Sequence, residues 1–130
     1  MVIFSLPHQT FSLKFSYMST IEPIHSASDF TAAMNKHPAV LFYFSTLSCS
    51  VGEALEPKVR NLISENFPKI EFIWIDMNAA PEIIGAQKVF AEPTILLFIH
   101  GKEYLRRSRN FHLAELQQAT ERIYNLAFSE

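Results

Sequence analysis

The chain has 130 residues, enough for one domain with a substantial buried core. Hydrophobic residues make up 48% of the composition and charged residues 18%, and these proportions exclude a disordered chain. The formal net charge of −2 excludes a general electrostatic attraction to nucleic acid or to an anionic membrane. No apolar run approaches the length that a bilayer requires, so we expect neither nucleic acid nor membrane as a partner.

The single cysteine, Cys49, limits the chemistry that the chain can perform. One thiol excludes an intrachain disulfide and a cysteine-rich zinc site. The five histidines show no metal-ligand spacing, so we expect no metal and no cofactor. A chain that needs no disulfide does not depend on an oxidising compartment, which favours a cytoplasmic location.

The first residues form a separate region. Residues 1–17 are apolar but lack the basic start and the small-residue cleavage site of a secretory signal. Residues 11–17 alternate between apolar and polar, as a strand with one buried face does. They are either an extra edge strand or an extension outside the domain core. We therefore divide the chain into an N-terminal extension, 1–20, and one domain, 21–130.

The first half of that domain reads as helix, strand and helix. Ser26 and Asp29 are typical of a helix start, and Pro38 ends the helical pattern. Residues 39–44 are continuously apolar, as in a central strand that is buried on both faces. Cys49 follows at a turn, and residues 50–66 are helical, with Pro57 inside, where we expect a kink.

The second half begins with an apolar strand over residues 70–75 and a short helix that opens at Pro81. Residues 94–99 form a third apolar strand, and a turn at 100–102 leads into a fourth strand over 103–106. A final helix covers residues 112–126. Parallel strands joined by helices, followed by an antiparallel hairpin, predict a mixed sheet between helices.

Three arginines, Arg106, Arg107 and Arg109, cluster after this hairpin. A solvated strand end accounts for such a cluster without any ligand. Phosphate binding is the alternative interpretation.

Several features resemble the thioredoxin family by their joint spacing, from about Ile24 to the C-terminus. Cys49 follows a buried strand, and Pro57 lies eight residues later, where the family has a helix-kinking proline. Pro81 precedes Pro93 by twelve residues, as the family's third helix precedes its cis-proline. The resemblance implies a thioredoxin fold, an α/β fold with a mixed central sheet of four to five strands flanked by helices on both faces. It also implies a peptide groove beside Glu92 and a cis Pro93.

The motif Cys49-Ser50-Val51-Gly52 is similar to the Cys-Ser-Val-Cys motif of some bacterial members of the family. Gly52 stands where those proteins have their second cysteine. The mapping therefore predicts that a cysteine introduced at position 52 would pair with Cys49.

Three further positions depart from the family pattern. Ser48 stands where thioredoxin usually has tryptophan, and Tyr43 where it has a buried aspartate. Glu92 precedes the cis-proline, where an aliphatic residue is usual. We expect the Glu92 carboxylate to turn into solvent. If the Cys49 sulfur caps the helix that follows it, the amides of Val51 and Gly52 would point at the sulfur. This arrangement favours the thiolate.

Dithiol exchange needs a neighbouring thiol that resolves the mixed disulfide, and this chain has none. The sequence therefore predicts a thioredoxin-like protein with at most monothiol redox chemistry, in which Cys49 forms a mixed disulfide with a protein or with glutathione. The alternative is a non-catalytic protein- or peptide-binding module on the same scaffold. A dimer, through residues 11–17 or through an intermolecular Cys49 disulfide, also stays open.

Overall fold

A computed structural model describes residues 24–129 of the chain. The element order is α1 (Ala27–Lys36), β1 (Ala39–Ser45), α2 (Ser50–Asn66), β2 (Ile70–Asp76), α3 (Pro81–Gln87), β3 (Thr94–Ile99), β4 (Lys102–Ser108) and α4 (Leu113–Phe128). The predicted strand over residues 11–17 and the predicted extension 1–20 lie outside the described residues. None of the helices in the described part of the chain is both long and apolar enough to cross a membrane.

Within residues 24–129 the sheet has four strands, in the order β2-β1-β3-β4. Strand β1 pairs in parallel with β2 and antiparallel with β3, so the sheet is mixed, as predicted. All seven residues of β1 are buried, which explains their continuous apolar sequence. Because β1 is central, the loop that follows it leaves the sheet between two neighbouring strands.

Successive side chains of β1 point to opposite faces of the sheet and enter two separate cores. On one face, Leu41 and Tyr43 pack with Val59 of α2 and Leu116 of α4. On the other face, the core includes Val40, Phe42, Phe30 of α1 and Ile83 of α3. The rings of Phe30 and Phe42 stack with their centroids 4.3 Å apart. Helices therefore cover both faces, which confirms the predicted fold class.

Local signals in the sequence place the ends of several elements. Ser26 caps α1, and its side chain and that of Asp29 form a reciprocal capping box. Pro81 occupies the start of α3, where its missing N–H has no helical partner to lose. The turn between β3 and β4 places His100 at φ 50° and Gly101 at φ 80°, the left-handed pair that a two-residue hairpin requires. This hairpin sets β4 beside β3 and leads the chain back toward Pro93.

Candidate functional site

Cys49 lies where the chain passes from β1 into α2. Its main-chain N–H donates to the Thr46 carbonyl over 3.3 Å, which closes the loop after the strand. Cys49 is the N-cap of α2, and its Sγ accepts a hydrogen bond from the Gly52 N–H at 3.3 Å. The residue is partly exposed. The sulfur thus accepts a backbone donor at the amino end of the helix, where the positive end of the helix dipole lies.

The three motif positions after Cys49 have different surroundings. Ser50 and Val51 are exposed, and Val51 retains 58% of its accessible surface. Gly52 is buried. Of the two amides predicted to point at the sulfur, that of Gly52 makes the capping bond.

Gly52 lies unusually close to β1. A Cβ added at this position would stand 2.9 Å from the Ser45 Cβ and 3.4 Å from the Cys49 Sγ. The Ser45 contact is closer than real Cβ atoms approach one another, and a Cβ on the backbone of a strand cannot swing aside. The expectation that a cysteine at 52 would simply pair with Cys49 therefore needs correction, since Ser45 occupies the required space.

Tyr43 and Trp74 complete the buried side of this helix start. The Tyr43 hydroxyl donates to the Gly52 carbonyl over 2.8 Å, and the Trp74 indole N–H donates to Ser45 Oγ, also over 2.8 Å. Burial, reinforced by the negative charge of Glu56, raises the pKa of the Tyr43 phenol above its ordinary value. The Tyr43 phenol therefore stays protonated and remains a hydrogen-bond donor at neutral pH. By the resemblance described above, thioredoxin has a buried aspartate at this position.

The loop before β3 approaches the same place. The peptide bond between Glu92 and Pro93 is cis. Pro93 is buried, and its carbonyl accepts the Arg109 N–H over 2.8 Å. The Thr94 hydroxyl donates to the Ala91 carbonyl over 2.6 Å. The first of these bonds ties the loop to the end of β4, and the second closes the loop on itself.

The Glu92 side chain does not turn into solvent, contrary to the sequence-based expectation. Its Oε2 accepts the Thr46 N–H at 3.0 Å and the Thr46 hydroxyl at 2.9 Å. The reason is that Thr46, at the end of β1, offers two donors directly opposite the residue before Pro93. Glu92 therefore ties the Cys49 loop to the Pro93 loop, a connection that we name the Thr46–Glu92 tether.

An open cleft of about 460 Å³ lies beside the sulfur. Residues from three parts of the chain line it: Cys49, Val51, Phe90, Ala91, Glu92, Arg109 and Asn110. Phe90 is 82% exposed, although it is a large apolar side chain. The structure therefore brings together Cys49, Val51 and Glu92 of the predicted site, whereas Pro93 is buried behind them and Ser50 faces outward.

Sequence reasoning missed four lining residues: Phe90, Ala91, Arg109 and Asn110. The three-arginine cluster divides in the structure, because Arg106 pairs with Glu103 and Arg107 pairs with Glu115. Arg109 instead lies in the loop after β4 and lines the cleft. The only signal for Arg109 in the sequence was that it follows the hairpin by a few residues. That position does not show where the side chain of a loop residue lies. Residues 24–129 contain no cluster of three or more histidine, cysteine, aspartate or glutamate side chains that could hold a metal.

Comparisons with known proteins agree with this geometry. Residues 22–122 match the sequence model of the family described as Thioredoxin. The chain is 32% identical over 109 residues to the thioredoxin-like protein YdfQ of Bacillus subtilis, a match that covers 84% of this chain and 96% of that protein.

Solved structures give the same result. The thioredoxin of Trypanosoma brucei brucei superposes with a TM-score of 0.69 at 20% identity, over 79% of this chain and 89% of that one, which speaks for the fold alone. Thioredoxin 1 of Thermosipho africanus matches with a TM-score of 0.62 at 30% identity, over 67% of this chain and 96% of that one. The chain belongs to the thioredoxin family.

Proposed function

We propose that the protein is a monothiol member of the family, in which Cys49 exchanges with the disulfide of a protein or of glutathione. The observation that supports this most directly is the position of the sulfur. It accepts the Gly52 N–H at the amino end of α2 and also lines an open cleft. Thiol–disulfide exchange requires a sulfur nucleophile that is accessible to its partner, and the place of Cys49 in the cleft supplies that access.

The Cys49 thiolate attacks one sulfur of the partner disulfide, an Sγ–S bond forms, and the partner's S–S bond breaks. The released thiolate takes a proton from solvent. Cys49 is oxidised to the mixed disulfide while the departing half of the partner is reduced. The chain has one cysteine, so an external thiol must release the mixed disulfide.

The test is incubation of the reduced full chain with oxidised glutathione, followed by mass measurement of the intact protein. We expect the mass of one glutathionyl group on each chain and its complete removal by dithiothreitol. Cys49→Ser should gain nothing. If wild-type protein that labels with iodoacetamide gains no glutathionyl group even at alkaline pH, the proposal is wrong.

A second candidate function is a non-catalytic peptide-binding module, and one observation favours it. Within residues 24–129, neither the main-chain N–H nor the carbonyl of Glu92 has a hydrogen-bond partner. Both groups lie next to the exposed Phe90, so an extended peptide could pair with them as an added strand does. In this case Cys49→Ser should retain the same partners as the wild type under identical conditions. If Cys49→Ser loses those partners, partner capture depends on the Cys49 sulfur and the peptide-binding alternative is wrong.

Location and assembly belong to the same proposal. A cytoplasmic location is supported by the single, unpaired cysteine. Dimerisation is tested by comparing molecular size with and without reductant. A dimer that dissociates when reductant is added would contain an intermolecular Cys49 disulfide. A dimer that persists in reductant would require another interface.

A further inference from the structure

Arg109 differs from its two neighbours in the basic cluster in having no counter-charge. Arg106 donates to Glu103 and to the carbonyls of Gln87 and Lys88, and Arg107 donates to Glu115. Within residues 24–129 the side chain of Arg109 makes neither an ion pair nor a hydrogen bond. It is an exposed residue that lines the cleft beside Cys49.

The backbone of Arg109 adds a second, independent observation. Its φ of 60° lies in the left-handed region, where a side chain carries an energetic cost that glycine avoids. Its N–H bond to the Pro93 carbonyl fixes this conformation next to the cis-proline loop. Lys88 and His100 share this left-handed φ, so what distinguishes Arg109 is that this bond and its place in the wall of the cleft position it beside Cys49.

The other charged group of the cleft, Glu92, is directed at Thr46 and makes no ion pair with Arg109. Glu92 also lines the cleft, but its Oε2 is occupied by both donors of Thr46. Arg109 is therefore the one positively charged side chain among the described residues that line the cleft, and its guanidinium matches a carboxylate in charge and geometry.

We propose that Arg109 is a specificity-determining residue that makes the cleft select partners with a carboxylate close to the atom that Cys49 attacks. This inference rests on the proposed function, because the selection of a carboxylate matters to the protein only if Cys49 exchanges with disulfides. Two sources share the required chemistry: glutathione, which has two carboxylates, and a protein cysteine that is flanked by acidic residues. The guanidinium would bind the carboxylate and hold the partner's sulfur near Cys49.

The first test uses alkylation, because it does not depend on disulfide exchange. Iodoacetate and iodoacetamide are similar in size and differ in charge, and each loses iodide as its CH₂ carbon bonds to Sγ. We expect Arg109→Gln to lower the rate ratio of iodoacetate to iodoacetamide at Cys49 about three- to tenfold at low ionic strength. Arg109→Lys should retain most of the ratio, and Glu92→Gln should raise it.

The matched control is Arg122→Gln, which removes one positive charge from α4, outside the cleft. It should leave the ratio unchanged. If Arg109→Gln does not change the ratio, or if both glutamine variants lower it equally, the assignment of Arg109 is overturned. Failure of both reagents to label Cys49 would also overturn it, since the cleft would then not admit a carboxylate at the sulfur.

The second test repeats the comparison with disulfides. The probes are dithiodipropionate, hydroxyethyl disulfide and cystamine, which are anionic, neutral and cationic. We expect Arg109→Gln to slow mixed-disulfide formation with the anionic probe selectively. Oxidised glutathione and short peptide disulfides with glutamate or glutamine beside the cysteine then distinguish the two sources. An Arg109-dependent alkylation ratio without any disulfide exchange would contradict the proposed function and leave this inference standing.

Discussion

At the scale of single residues, Gly52 decides what the helix start can contain. It is buried, and the space where its side chain would stand is taken by the Cβ of Ser45. The packing of the site therefore opposes any side chain at position 52. We expect that introducing a second thiol there needs more than one substitution.

We expect Gly52→Ala to destabilise the protein, although alanine favours helices. Overpacking a buried site costs about 1–3 kcal/mol, which exceeds the gain of about 1 kcal/mol from replacing glycine by alanine in a helix. Urea denaturation measures the difference. Gly85→Ala in α3 is the control, because its added Cβ would meet nothing within 4 Å, and it should be neutral or stabilising.

A second substitution at Ser45 tests the cause. Ser45→Gly removes the obstructing Cβ, so the double variant should recover part of what Gly52→Ala loses, as a favourable coupling free energy. The same background should also allow Gly52→Cys to form a reducible disulfide with Cys49. If the two single effects simply add, the clash with Ser45 is not what excludes a side chain at position 52.

At the scale of elements, the Thr46–Glu92 tether joins the loop after β1 to the loop before β3. Both hydrogen bonds end on one charged oxygen, and bonds to charged groups contribute more than neutral ones. The tether therefore holds the two walls of the cleft at a fixed separation.

We expect Glu92→Ala to lower the free energy of unfolding by about 1–3 kcal/mol, since two donors of Thr46 lose their acceptor. Glu92→Gln keeps an acceptor oxygen and should lose clearly less. Chemical denaturation gives the stability, and amide hydrogen exchange at Thr46 and Cys49 reports whether the loop loosens. Equal losses in the two variants would show that charge, rather than the hydrogen bonds, is what the tether contributes.

Most elements could be predicted because their signals are local. The helix over residues 50–66 and the strand over 94–99 have the predicted bounds, since apolar periodicity and the flanking prolines define them. Strand β4 runs to Ser108, two residues beyond the prediction. Its extra residues pair with Ile95 and Thr94, and such a partner is not visible in the local pattern.

The contacts within the site were beyond prediction for a related reason. Thr46 and Glu92 are 46 residues apart, and only the β1–β3 pairing brings them together. The approach of Gly52 to the Ser45 Cβ depends on how α2 packs against β1, which the local sequence pattern does not show. The place of Arg109 depends on a left-handed loop conformation that arginine rarely adopts.

At the scale of the whole molecule, Tyr43 links the central strand, the helix start and one core. It is fully buried, and its raised pKa means that the folded state keeps the phenol protonated after the unfolded chain begins to ionise near its ordinary pKa of 10.0. The corresponding stabilisation is present below about pH 10 and is lost as the pH rises further.

We therefore expect Tyr43→Phe to cost about 0.5–1.5 kcal/mol at neutral pH, where the hydrogen bond to Gly52 is lost. Above pH 10 the difference from the wild type should shrink, because the phenylalanine variant lacks the ionisable group. Denaturation between pH 7 and pH 11 measures both effects. A difference that stays constant over this range would contradict the buried, protonated phenol.

The lone sulfur at the start of α2 also fixes the kinetic order of any recovery. With an internal cysteine, recovery from the mixed disulfide would be unimolecular, and its rate would not depend on what surrounds the protein. Here Gly52 offers no nucleophile, so recovery from a mixed disulfide with glutathione would be bimolecular and its rate would rise in proportion to the surrounding free thiol. The lifetime of the oxidised molecule would thus be set by the reducing capacity of its environment.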